Sequence, residues 1–206
     1  MKRLLVAGFA LLTSASLMAQ SAADQLSTLL DKTNSYSAQF QQIVSHAQGQ
    51  KGEKSSGKFE LRHPGKFRWE VNKPYQQLLI STGKELWIYE PDIDSVTVND
   101  LEQQLGATPA LLLSSDRQSL INSFHINAKS ANEYVLTPKD LGANFEKIEL
   151  RFANGVLVEL NLQDSLGSHT QVLFTDAKTN IKLNDARFQF TPPENADLID
   201  NRRHKE

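Results

Sequence analysis

Ile148-Glu149-Leu150-Arg151-Phe152-Ala153-Asn154-Gly155-Val156-Leu157-Val158-Glu159-Leu160-Asn161-Leu162 decides the fold class. Ile148, Leu150 and Phe152 alternate with polar residues, and so do Val158, Leu160 and Leu162, which is the period of a half-buried strand. Asn154-Gly155 stands between the two runs. Both central residues of a type I′ turn need positive φ, and this pair tolerates it at low cost. The stretch therefore predicts a tight β-hairpin, with Phe152 and Val156 flanking its turn.

Working outward, the same period recurs in Phe59/Leu61, Phe67/Trp69/Val71, Val172/Phe174 and Phe188/Phe190, each run bounded by Gly, Pro, Asn or Asp. Strand follows strand with little helix between, so the pairing is expected to be mostly antiparallel, in one large curved sheet or barrel. Helical periodicity is confined to short pieces. Asp24 to Lys32 carries Leu26, Leu29 and Leu30 at i, i+3, i+4, with Asp24 as the expected cap. In the middle, Asp100 to Leu105 and Pro109 to Leu113 read as helical, the second with Thr108 as N-cap and Pro109 at its first position, and Asp116 to Ser123 adds another turn. Without repeats, low-complexity tracts or a Pro/Gly-rich linker, one domain over residues 24–206 is expected.

The start of the chain predicts export. Met1-Lys2-Arg3 is a positive n-region, Leu4 to Leu12 an apolar h-region, and small residues follow around Ala19 to Ala23. This is the pattern of a secretory signal peptide over residues 1–19, cut somewhere between 19 and 23. The sequence holds no cysteine, which removes disulfides, thiolate chemistry and the lipid-modified Cys of a bacterial lipoprotein. With 22 basic and 24 acidic residues the net charge is −2, so neither nucleic acid nor an anionic membrane is an expected partner.

Catalytic patterns are missing as well. The five histidines, His46, His63, His125, His169 and His204, fall in no metal-ligand spacing. No Gly-x-Ser-x-Gly elbow occurs, and Lys54-Ser55-Ser56-Gly57-Lys58 lacks the order that cradles phosphates. No enzyme activity, cofactor or metal is expected. Leu78-Leu79-Ile80 and Leu86-Trp87-Ile88-Tyr89, however, are apolar on both alternating faces, which calls for apolar cover on both sides of the sheet. Periodicity alone does not separate a filled core, the commoner arrangement, from a ligand cavity.

Four segments carry a resemblance to a known family: Arg62-His63-Pro64-Gly65-Lys66-Phe67-Arg68-Trp69-Glu70, then Ile80 to Pro91 with Gly83-Lys84-Glu85-Leu86-Trp87-Ile88-Tyr89, then Thr108 to Leu113, and Phe188-Gln189-Phe190-Thr191-Pro192-Pro193 as a closing strand. In order and spacing they resemble the outer-membrane lipoprotein carriers of the LolA type, over essentially the whole mature chain. The resemblance implies a mainly β (α+β) fold, an unclosed antiparallel barrel whose short-helix lid encloses an apolar cavity. It implies a periplasmic chaperone, working as a monomer, that receives lipoproteins from an inner-membrane ABC exporter of the LolCDE type and delivers them to an outer-membrane receptor lipoprotein of the LolB type. Phe59, Leu61, Phe67, Trp69, Val71, Ile80, Leu86 and Ile88 would line the acyl-chain cavity, and Leu26, Leu29, Leu30, Leu111, Leu112 and Leu113 would form the lid.

One departure from the family stands at the first segment. The family has Arg directly before the proline, where it latches the lid, whereas here His63 precedes Pro64 and Arg62 falls on the other strand face with Lys58 and Glu60. His63 is the expected latch. Histidine has fewer donors than arginine and an ordinary pKa near 6.5, so such a latch would weaken as pH rises. Two other readings, a lipid-acting hydrolase or sensor on a similar barrel and a purely structural interaction domain, are disfavoured by the missing nucleophile and base and by the four segments together.

Overall fold

The computed structural model describes residues 21–46, 52–101, 108–115, 117–140 and 142–203. The predicted signal segment, most of the expected helix from Asp100 to Leu105, and His204 lie outside them. The hairpin is as expected: β9 (Phe145–Ala153) and β10 (Val156–Asp164) meet at Asn154 and Gly155, whose φ values are 52° and 78°. A two-residue loop pairs the residues on either side of it, so Ala153, not Phe152, faces Val156.

Among the described residues, ten further strands build on this hairpin: β1 (Ser35–Ser45), β2 (Glu53–Arg62), β3 (Lys66–Lys73), β4 (Gln77–Thr82), β5 (Glu85–Glu90), β6 (Ser95–Asp100), β7 (Phe124–Ser130), β8 (Glu133–Pro138), β11 (His169–Thr179) and β12 (Asp197–Asp200). They form one sheet in the order β12-β6-β5-β4-β3-β2-β1-β11-β10-β9-β8-β7. Its edges, β12 and β7, do not pair with each other, so the barrel is not closed. All neighbours are antiparallel except β12 and β6, which run parallel. Strands adjacent in the chain produce every antiparallel pair except β1–β11, which joins residues 35–45 to residues 169–179. The parallel strand is possible because a long excursion over the outside brings the chain back to the edge.

Among the described residues, three short α-helices accompany the sheet. α1 (Ala22–Asp31) begins earlier than expected: Ser21 is its N-cap, accepting from the Asp24 N–H at 3.1 Å, while the Ser21 hydroxyl donates to the Asp24 carboxylate at 2.7 Å. Asp24 is thus the third helical residue, a partner of the cap rather than the cap. α2 (Pro109–Ser114) starts as predicted, with Thr108 Oγ1 accepting from the Leu111 N–H. α3 (Arg117–Ser123) follows.

Burial falls into two bodies, one on each face of the β3–β6 part of the sheet. The inner core unites Phe59, Leu61, Phe67, Trp69, Leu79 and Leu86 with the helix residues Leu26, Leu111, Leu112 and Leu113. Ile80, Val96, Val98 and Phe188 are equally buried but stand apart from it. Register explains the split: Ile80 lies opposite Trp87 and Arg68, and Trp87 opposite Val98, so these residues share the outer face. Ile80 therefore does not line the interior with Leu86 and Ile88, which have the opposite parity on the paired strand.

Cover for the outer face comes from the segment after β11. Phe188-Gln189-Phe190 is not a strand. Asp185–Phe188 forms a 3-10 turn capped by Asn184, and Phe190 packs on Trp87 and Tyr89 with ring centroids 5.7 and 5.6 Å away. Apolar residues on alternate positions suit a strand, but here Phe188 and Phe190 are two anchors of a strap laid on the sheet. Glu60, 4% exposed, accepts from Arg187 Nε at 2.8 Å and pairs with Lys58 at 2.7 Å. Burial pushes its carboxyl up, yet the hydrogen bonds from Lys58 and Arg187 outweigh that and hold it below the ordinary glutamate range.

Candidate functional site

The floor of the interior is aromatic. Tyr36 and Phe40 on β1, Phe59 on β2, Trp69 on β3 and Phe174 on β11 form a continuous cluster. Phe40 stacks on Trp69 at 4.0 Å across β2, and Gly57 makes this possible, because a Cβ there would lie 3.0 Å from the Phe40 ring and 1.8 Å from the Glu70 carbonyl oxygen. Burial pushes the Tyr36 phenol upward, so it stays protonated and donates to the Leu157 carbonyl at 2.9 Å. Sequence reasoning missed Tyr36, Phe40 and Phe174 as interior residues. The alternation Tyr36-x-Ala38-x-Phe40 contained the signal for the first two.

Of the residues predicted to line a cavity, Phe59, Leu61, Phe67, Trp69 and Leu86 are buried on this inner face, and Val71 and Ile88 are half-buried against it. Ile80 alone is on the other side. α2 lies across this floor with Leu111 fully buried and Leu112 and Leu113 nearly so. From α1, Leu26 is buried in the same core, while Leu29 and Leu30 pack half-buried at its margin. The helices therefore fill the concave side of the sheet. Among the described residues, a small cavity of about 30 Å³ lies between them and the floor, lined by residues that include Leu30, Tyr36, Phe59, Leu61, His63 and Leu113.

His63 and Leu113 both line this small cavity, and the His63 backbone N–H donates to the Asn34 carbonyl at 3.0 Å. Arg62 turns outward. It donates to the Leu183 carbonyl at 3.1 Å, pairs with Asp185, and lies over the Phe188 ring at 5.1 Å, so it fastens the outer strap and not the lid. The turn between them touches the lid through the main chain, where the Gly65 N–H donates to the Ser114 carbonyl at 3.3 Å.

Chemically the interior offers apolar and aromatic surface. Among the described residues no group of three or more His, Cys, Asp or Glu could hold a metal, and no helix is long and apolar enough to cross a membrane. An apolar surface of this kind can shield a hydrocarbon from water.

Comparison with known proteins agrees with this geometry. Residues 31–191 match the family described as outer membrane lipoprotein carrier protein LolA. The chain is 39% identical over 178 residues to the outer-membrane lipoprotein carrier protein of Azotobacter vinelandii, covering 85% of this chain and 86% of that one. It is 37% identical over 202 residues to the protein of the same description from Pseudomonas paraeruginosa, covering 96% and 97%. In fold it is similar to the crystal structure of a LolA superfamily protein from Nitrosomonas europaea, with a TM-score of 0.54 at 14% identity over 84% of this chain and 99% of that one.

Proposed function

Because this chain belongs to the LolA family of outer membrane lipoprotein carrier proteins, we propose that its concave face receives the acyl chains of a lipoprotein when α1 and α2 swing away. As a member of that family it is a periplasmic carrier and not an enzyme. The observation that carries the acyl-chain reading is the filling of the interior. Leu26, Leu111, Leu112 and Leu113 are buried in one core with the aromatic floor of Phe59, Phe67 and Trp69.

An acyl chain costs about 0.8 kcal/mol per CH₂ to expose to water, so a lipid anchor needs a shield to cross an aqueous space. In the empty carrier the lid leucines take the place of that chain. Replacing them by lipid exchanges one apolar contact for another, and moving lipid out of a bilayer gains little, so loading depends on work done by a partner. We place an inner-membrane ABC exporter of the LolCDE type in that role and a receptor lipoprotein of the LolB type at delivery, with a monomer carrying the cargo. His63, which lines the same small cavity as Leu113, is the side chain we assign to holding the closed lid.

The domain reading is that residues 24–206 act as one unit after removal of a signal peptide. Ser21 caps α1, which favours a cut after Ala19, since a cut after Ala23 would delete the cap and the helical residues Ala22 and Ala23. Mass spectrometry of the secreted form distinguishes a start at Gln20 from one at Asp24.

The carrier reading is tested by lipoprotein release. Inner-membrane vesicles making an acylated lipoprotein should release it into a complex with the purified protein, and an unacylated version should not associate. Phe67→Glu, at a fully buried position under the lid, places an unpaired carboxylate in apolar surroundings and should abolish recovery of the complex. Equal recovery of acylated and unacylated cargo would overturn the reading.

A further inference from the structure

We propose that the lid is held shut through the main chain of Gly65, and that Ser81 and Asp185 are positioning residues that hold Gly65 in place from the two sides of the sheet. The inference rests on the carrier reading, in which α2 opens. Ser114 is the last residue of α2, where the helix leaves its carbonyls without intrahelical partners. Its carbonyl accepts from the Gly65 N–H at 3.3 Å, a long hydrogen bond suited to a contact that breaks in use. Gly65 has φ of +70°, so the turn that aims this N–H at the lid needs glycine.

On the inner side stands Ser81, fully buried between Phe67 and Leu86 on the neighbouring strands. Its hydroxyl donates to the Gly65 carbonyl at 2.6 Å and accepts from the Gly83 N–H at 3.2 Å. One side chain thus ties the β2–β3 turn to the β4–β5 turn and fixes the orientation of Gly65. A hydroxyl buried between apolar side chains is retained at a cost unless it is bonded, and both of its bonds serve this joint.

On the outer side Arg62 and Lys66 flank the same turn, and both pair with Asp185, Lys66 at 2.9 Å. These two cations hold the Asp185 carboxyl down at about 2, so it is charged at any pH the envelope meets. The outer strap therefore grips the turn whose inner side holds the lid. Anything that draws Arg62, Lys66 or Asp185 away from outside would loosen the latch inside.

The test uses the full mature chain and two variants, Ser81→Ala and Asp185→Asn, with amide exchange in residues 108–114 as the measure of opening. Each variant should speed that exchange about five- to tenfold, the effect of losing one ordinary hydrogen bond, and Asp185→Glu should restore the wild-type rate. Exposed pairs are screened by salt, so exchange in the wild type should rise between about 10 mM and about 500 mM salt. Asp185→Asn should remove that dependence, whereas Ser81→Ala should keep it, a difference that general destabilisation would not produce. If Ser81→Ala fails to fold, Asp185→Asn decides, because its side chain is exposed. Exchange unchanged from wild type in Asp185→Asn at every salt concentration would overturn the proposal. Failure of the wild type to release lipoprotein would instead count against the carrier reading and leave the exchange result standing.

Discussion

Replacing Leu111 and Ile80 by alanine, one at a time, separates a lid from a permanent core. Both side chains are essentially inaccessible, Leu111 on α2 over the inner floor and Ile80 on the outer face under the strap. Truncating a buried Leu or Ile to Ala costs 2–5 kcal/mol in general, so each change should cost about 3 kcal/mol, or roughly a hundredfold in an equilibrium constant. The two differ in which equilibrium they move. If α2 opens while the sheet stays folded, Leu111→Ala weakens the closed state relative to both the open and the unfolded states. Ile80→Ala weakens closed and open states equally, because its surroundings do not change on opening. A detached six-residue helix is marginal in water and exposes its amides, whereas the amides of β9 and β10 exchange only on global unfolding. Hydrogen exchange should then show Leu111→Ala accelerating residues 108–114 and residues 145–162 alike, by about a hundredfold. Ile80→Ala should accelerate 145–162 and leave 108–114 unchanged. Should Ile80→Ala speed both segments equally, α2 exchanges only through global unfolding and is core, not lid.

Thr108→Ala removes the side-chain cap of α2 and should cost about 1 kcal/mol, read as a roughly fivefold faster exchange in residues 108–114; no change would show that the cap does not set lid stability. Gly57→Ala forces a Cβ to within 1.8 Å of the Glu70 carbonyl oxygen, so β2 and β3 must part and stability should fall by about 3 kcal/mol or more, seen as a lower urea midpoint; a wild-type midpoint would refute the close approach. The carboxyl of Glu60, held below its ordinary value by Lys58 and Arg187 against the push of burial, gives stability that is present above the unfolded value near 4.3 and lost as pH falls through the lower folded value. Thermal denaturation should therefore show Tm falling below about pH 4.3, and Glu60→Gln should flatten part of that fall. An identical pH profile in the variant would mean the outer ion pairs contribute nothing.

Local chemistry, repeated along the chain, determined the fold class. The Asn154-Gly155 hairpin, the Thr108-Pro109 start of α2 and the two-residue period of the aromatic runs are set by φ preference, capping and side-chain alternation, and each is legible within a few residues. The expectation that Phe59, Leu61, Phe67, Trp69 and the lid leucines share one interior came instead from the resemblance of four segments to the family, not from local periodicity. Three decisions belonged to the tertiary structure. Whether Ile80 faces in or out depends on its pairing with Trp87 and Arg68, since a strand apolar on both faces does not state its parity. Whether Phe188 and Phe190 join the sheet depends on what already covers Trp87 and Tyr89, because apolar alternation suits a strap as well as a strand. The contact between Gly65 and Ser114 joins two backbone groups far apart in the chain, and every residue has a backbone N–H and C=O, so no side-chain pattern announces it.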